Sequence, residues 1–206
     1  MADQNGTGMD IRINLSSREM ALPGLQALLS KGFSVQTRVG GSLSGLLCDQ
    51  LGIDTDYLQH RVQTLFLNNS PVDDVEKATV SDGDVVALSA AMPGLVGATM
   101  RKGGFYAKLR QHISYQANDT EKKESAIGRV TIRLFNVIAK ELGPDFLKRG
   151  ITVEYKALQV FLKIAMPVIA MPENSIKVDG EKLSMPALFN TGQPGKMIRL
   201  TIQGKG

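Results

Sequence analysis

One order of strand-like and helix-like runs is written twice along this chain, and such a chain is expected to fold into two similar units. The first copy runs Ile11-Arg12-Ile13, Gly32-Phe33-Ser34-Val35, a helix-like stretch, Leu65-Phe66-Leu67-Asn68-Asn69 and Val85-Val86-Ala87-Leu88. The second runs Ile132-Arg133-Leu134, Gly150-Ile151-Thr152-Val153, a helix-like stretch, Ile176-Lys177-Val178-Asp179-Gly180 and Met197-Ile198-Arg199-Leu200. Order and spacing are kept with only small deletions. Each copy is domain-sized, too long for a solenoid repeat.

Local patterns turn these runs into elements. Residues 10–15 alternate polar and apolar, the period of a half-buried strand, and Ser34 to Val39 repeats the pattern as its expected hairpin partner. Leu43, Leu46, Leu47, Gln50 and Leu51 stand at helical spacing between Gly40-Gly41-Ser42 and Gly52. Val62 to Leu67 reads as a third strand before the turn Asn68-Asn69-Ser70-Pro71, and Ser81-Asp82-Gly83-Asp84 turns the chain into strand Val85 to Ser89. The second copy is a hairpin of Arg129–Leu134 with Gly150–Tyr155, a helix over Lys156–Ala165, strand Ser175–Val178 and a last strand over Lys196–Gln203. Both copies read ββαββ, an α+β class. The predicted division is a loose tail over 1–9, domains over 10–97 and 129–206, and a basic, partly helical linker over 98–128. Within that linker Phe105 to Tyr115 reads as an amphipathic helix with Phe105, Leu109 and Ile113 on one face. Asn118 to Ser125, charged and without apolar anchors, reads as a flexible boundary.

A ββαββ unit with one helix held across a mixed sheet resembles the ubiquitin-like β-grasp. The run Phe66-Leu67-Asn68-Asn69-Ser70-Pro71-Val72-Asp73-Asp74 is similar to a turn of the molybdopterin-synthase small subunit and thiamine sulfur-carrier family. Val80-Ser81-Asp82-Gly83-Asp84-Val85-Val86-Ala87-Leu88 resembles that family's approach to its last strand. The resemblance covers 10–94 and, through Val178-Asp179-Gly180 and the final strand, 129–204 more weakly. It implies two tandem β-grasp domains and a chemistry carried by a free C-terminal diglycine, adenylated and then loaded with sulfur. Here Gly94 aligns with the first glycine, the second is missing, and Lys205 interrupts the glycines at the end of the sequence. Gly103-Gly104 is the one diglycine that follows the first copy, so cleavage after Gly104 would create a carrier tail; a plain turn before the Phe105 helix is the alternative. The expected function is therefore a non-catalytic binding or accessory protein related to sulfur carriers of molybdenum or tungsten cofactor biosynthesis, or else a true carrier. The implied partner is a protein, either an adenylating enzyme or a larger oxidoreductase or cofactor-synthesis complex.

Composition narrows the other classes. Residues 1–97 hold 6 Lys/Arg against 11 Asp/Glu, net −5, while the remainder holds 18 against 9, net +9. Opposite-sign halves can present different faces to partners. Scattered basic residues and a lack of Trp argue against a nucleic-acid surface. No apolar run reaches the ~18 residues of a membrane span, and the polar N-terminus does not read as a signal peptide. A cytoplasmic chain is the expectation. The glycine-rich, basic loop offers Gly94, Gly97, Arg101, Lys102 and Lys108 as an anion or partner contact. A lone Cys48, with only His60 and His112, predicts no metal site, and no cofactor is implied. Asp73-Asp74 and Asp82 with Asp84 are read as turn chemistry, and no catalytic constellation stands out.

Overall fold

The structure, a computed structural model, describes residues 8–16, 23–116, 126–165, 175–193 and 195–205. Most of the predicted tail and the charged segment 118–125 lie outside the described residues. The first half holds β1 (Asp10–Ser16), α1 (Pro23–Lys31), β2 (Phe33–Val39), a π-helical turn (Gly45–Gln50), α2 (Thr55–His60), β3 (Thr64–Leu67), β4 (Ser70–Pro71) and β5 (Val85–Ser89). Then come α3 (Gly94–Met100), a 3₁₀ turn (Phe105–Arg110), β6 (Ala126–Leu134), α4 (Asn136–Arg149), β7 (Ile151–Glu154) and α5 (Tyr155–Ala165). β8 (Ile176–Val178), β9 (Glu181–Lys182), α6 (Met185–Thr191) and β10 (Met197–Lys205) follow. The class is α+β, and no helix among the described residues is long and apolar enough to cross a membrane.

The chain divides into two compact units that do not follow the expected break between 97 and 129. A split unit combines residues up to 33 with those from 140 onward, and a central unit spans Ser34–Ala139. In the split unit the strand order is β7-β10-β1-β8-β9. β1 runs parallel to β10, Ile11 opposite Leu200, and both neighbours of this pair are antiparallel to it. Ile11, Ile13 and Leu15 are fully buried, as are Leu200 and Ile202, while Arg12 and Arg199 face outward. Helix α5 closes the inner side with Tyr155, Leu158, Phe161 and Leu162. Phe33 packs against Phe146 at 5.1 Å between ring centres.

In the central unit the order is β4-β3-β5-β6-β2. β5 and β6 are parallel, and β3 lies antiparallel to β5. The π-helical turn is pinned to β2 by one side chain. Gln50 Oε1 accepts from Thr37 Oγ1 at 2.6 Å and from Arg38 N at 2.8 Å, and its amide donates to the Arg38 carbonyl at 3.0 Å.

The predicted hairpins are corrected by this pairing. β1 joins β10 and β8 rather than β2, and β6 joins β5 and β2 rather than β7. Hairpins need short connections of ~2–5 residues. The segments after β1 and β6 instead contain helices, α1 burying Leu25, Leu28 and Leu29 and α4 burying Ile138, Phe146 and Leu147. Neither helix was anticipated from the sequence. The expected Phe105 helix is also reversed. Only a 3₁₀ turn forms, Phe105, Leu109 and Ile113 are exposed, and Arg110 is the buried residue.

Candidate functional site

Strand β5 breaks the alternation that the other long strands keep. Val86 and Leu88 point to the core of the central unit and are fully buried. Val85, Ala87 and Ser89 point to the opposite face, where a half-covered sheet ordinarily places polar groups. The register sets large side chains on either side of a small one: Phe66 of β3 and Arg133 of β6 both stand opposite Ala87. The result is a cavity of about 480 Å³ with a floor of Val85, Ala87 and Ser89. Phe66 and Asn69 form one wall, Arg133, Phe135 and Asn136 the other, and Met92 adds an apolar surface.

Its polar groups are few and differently employed. Asn136 holds a left-handed backbone at φ 45°, which Asn tolerates better than most residues. Its side chain donates to Ser89 Oγ at 2.7 Å and accepts from Ala90 N at 3.1 Å, fixing the exit of β5. Arg133 contrasts with it. Its Nε is buried without a hydrogen-bond partner, and its guanidinium makes no ion pair among the described residues. A cation beside an apolar cavity with an unused donor is an unsatisfied arrangement that a ligand can complete.

The glycine-rich loop predicted as a contact site is placed beside this unit and built into it. Gly94, at φ 76°, opens α3. Gly97 is required by packing, because a Cβ there would overlap the backbone carbonyl of Met92. Lys102 is half-turned inward: its amine donates to the Leu58 carbonyl at 2.9 Å and its N–H to the Gln63 carbonyl at 2.8 Å. Desolvation pushes its pKa below the ordinary lysine value. Arg101 and Lys108 remain exposed. Gly103, at φ 60°, donates to Asp73 Oδ1 at 2.9 Å, and Gly104 N–H reaches back to the Arg101 carbonyl at 3.1 Å. The diglycine is thus a folded turn.

Arg110 secures the far side of that turn. It makes two bonds to Asp73, at 2.6 and 3.0 Å, and others to the Thr99 carbonyl and Ser114 Oγ, each at 2.6 Å. None of Gly94, Gly97, Arg101, Lys102, Gly103, Gly104 or Lys108 lines the cavity; Met92 is the loop's contribution to it.

The two turns behind the family resemblance do meet. Asn68 donates to Asp84 Oδ1 at 2.7 Å and accepts from Val85 N at 2.8 Å, while Asp84 also accepts from Ser81 N at 2.7 Å. They position β5 against β3, which is turn chemistry as expected. Cys48 is half-buried, and His60 sits 3.4 Å from Asp56 on α2. The cavity residues were not singled out from sequence, although the unbroken run Val85-Val86-Ala87-Leu88 carried the signal of a strand apolar on both faces. In comparisons with protein-family models, curated proteins and solved structures, no significant match was found.

Proposed function

We propose that this chain is a non-catalytic binding or accessory protein, built from two β-grasp-like units and related to the sulfur carriers of molybdenum or tungsten cofactor biosynthesis. The observation that carries the binding role is the apolar cavity on the outward face of the central sheet. A concave, mainly apolar site with a few polar groups is the usual form of a binding pocket. The grasp relation draws support from the parallel central pair in each unit, β10 with β1 and β5 with β6, flanked by an antiparallel strand. A protein partner draws support from the exposed apolar side chains around α3 and the 3₁₀ turn, with Phe105 89%, Leu109 72% and Leu95 69% exposed.

The carrier alternative has one observation in its favour: the Gly104–Phe105 bond is followed by an exposed ring. Against it stands the anchoring of the diglycine by Asp73, Lys102 and Arg110, since a carrier tail must be thin and free to thread into an activating enzyme. Intact-mass measurement on the protein from its native source tests the choice. The binding reading expects a chain uncut between Gly104 and Phe105. A species ending at Gly104 as a thiocarboxylate overturns it. Co-purification with an adenylating enzyme would point to the carrier, and with a large oxidoreductase to the accessory subunit.

A further inference from the structure

The cavity has one strong chemical preference written into it. Five of its lining residues, Phe66, Val85, Ala87, Met92 and Phe135, present apolar surface, and one, Arg133, presents a permanent cation. The amide of Asn136 is already engaged by Ser89 and Ala90. Ser89 accepts from Asn136 and keeps its own hydroxyl hydrogen to donate. Asn69 adds an amide that can both donate and accept, so Arg133 alone sets the charge of the site, and an anionic acceptor is the complementary group. Its volume, about 480 Å³, falls within the ~300–1,000 Å³ typical of small-molecule sites.

We propose that this cavity binds a small organic acid, with an apolar body over Val85 and Ala87 between Phe66 and Phe135 and a carboxylate paired with Arg133. The proposal rests on the reading of the chain as a binding protein and names the class of its ligand. Arg133 is suited to the task because a guanidinium offers parallel donors to a carboxylate. Ala87 is suited because its methyl group, between two long side chains on the same rung, leaves the volume that the ligand body fills.

The test uses the full chain with decanoate and decanol, two probes of similar body that differ in charge, followed by calorimetry and amide chemical shifts. The expected result is that decanoate binds at least about ten-fold more tightly than decanol, as a hydrogen bond to a charged group provides. Shifts should centre on Ala87, Arg133 and Phe135. Arg133→Met, which keeps the stem of a side chain with no internal partner, should remove that preference while decanol affinity changes by less than about three-fold. Ala87→Leu should abolish both, with an unchanged circular dichroism spectrum confirming the fold. Equal binding of the two probes, or an Arg133→Met protein that still prefers decanoate, overturns the acid assignment. Absence of binding by either probe overturns the small-molecule site. A dimer that Ala87→Leu dissociates also overturns it, and assigns the face to a second copy of the chain. All these failures are distinct from failure of the binding reading itself, which the intact mass of the native protein reports.

Discussion

Each of the two units holds a parallel strand pair, and the pairs differ in what they turn outward. In the split unit the parallel pair β1 and β10 buries Ile11, Ile13, Leu200 and Ile202 and presents Arg12, Asn14, Arg199 and Gln203 on the other side. In the central unit the parallel pair β5 and β6 buries Val86, Leu88, Ile132 and Leu134; on the other side β6 presents the polar Thr131 and Arg133, but β5 presents the apolar Val85 and Ala87. Both pairs are parallel and each has an antiparallel neighbour, so the contrast lies in side-chain chemistry. Water pulls polar groups to an uncovered sheet face, and an apolar face in the same position marks a surface with a use beyond stability.

The largest expected effects establish that the inward faces are equivalent. Leu88→Ala and Leu200→Ala should each cost roughly 2–5 kcal/mol, because both side chains are fully buried and leave a cavity. Denaturant unfolding followed by amide signals from each unit measures this. A cost below ~1 kcal/mol at Leu88 would break the comparison, since the central sheet would then lack a true inner face.

Next in size is Arg110→Met. It strips the buried partner from Asp73, which stays partly exposed and bonded to Gly103, and should destabilise the central unit by about 1–3 kcal/mol. Hydrogen exchange should rise across residues 90–116, the segment that Arg110 ties down, while amides of the split unit stay protected. Uniform loss across both units would contradict the local role assigned to this cluster.

A smaller effect sharpens the contrast of outward faces directly. Ala87→Thr, a polar strand former on the cavity floor, should change stability by no more than about 0.5 kcal/mol. Thermal unfolding supplies the number. A loss beyond ~2 kcal/mol would mean that the outward face of β5 is core after all, closed by further packing.

The smallest expected effect concerns the acid branch of stability. Lys77 bonds to the Asp74 carboxylate at 3.0 Å, and the N–H groups of Glu76 and Lys77 also donate to it, together holding its pKa below the ordinary 3.8. A depressed carboxylate stabilises the fold above its unfolded value and loses that contribution as pH falls through its folded value. Asp74→Asn should therefore flatten a slight fall in stability below pH 3.8 and leave neutral stability nearly unchanged, because the group is solvent-exposed. Acid titration of the melting temperature checks it.

Much of the strand content was legible. Val85–Ser89 was read with the bounds it has, Ile151 to Glu154 and Ile176 to Val178 fell inside their expected runs, and α5 began one residue early. Two helices were not read, although Leu25, Leu28 and Leu29, and Ile138 with Phe146, stand at helical spacing. The alternating strands around them suggest hairpins that these helices exclude. The 3₁₀ turn failed for another reason. An apolar face predicts burial only when a partner surface exists, whereas Arg110 found a carboxylate and two backbone carbonyls and was drawn inward. The cavity was missed because its walls come from residues 66, 87 and 133, which become neighbours only through sheet register.

The sequence by itself determined where most strands and turns lie and which side of most strands faces inward. Those properties follow from period-two alternation and turn residues, which act over a few positions along the chain. Only the tertiary structure decided that β1 pairs with β10 and β6 with β5, that the units are interleaved rather than sequential, and that Phe66, Ala87 and Arg133 share a rung. Strands of equal alternation compete on equal local terms. The choice among them rests on the connections that can close and on the buried faces of α1, α4 and α5, and these are energies of the whole fold.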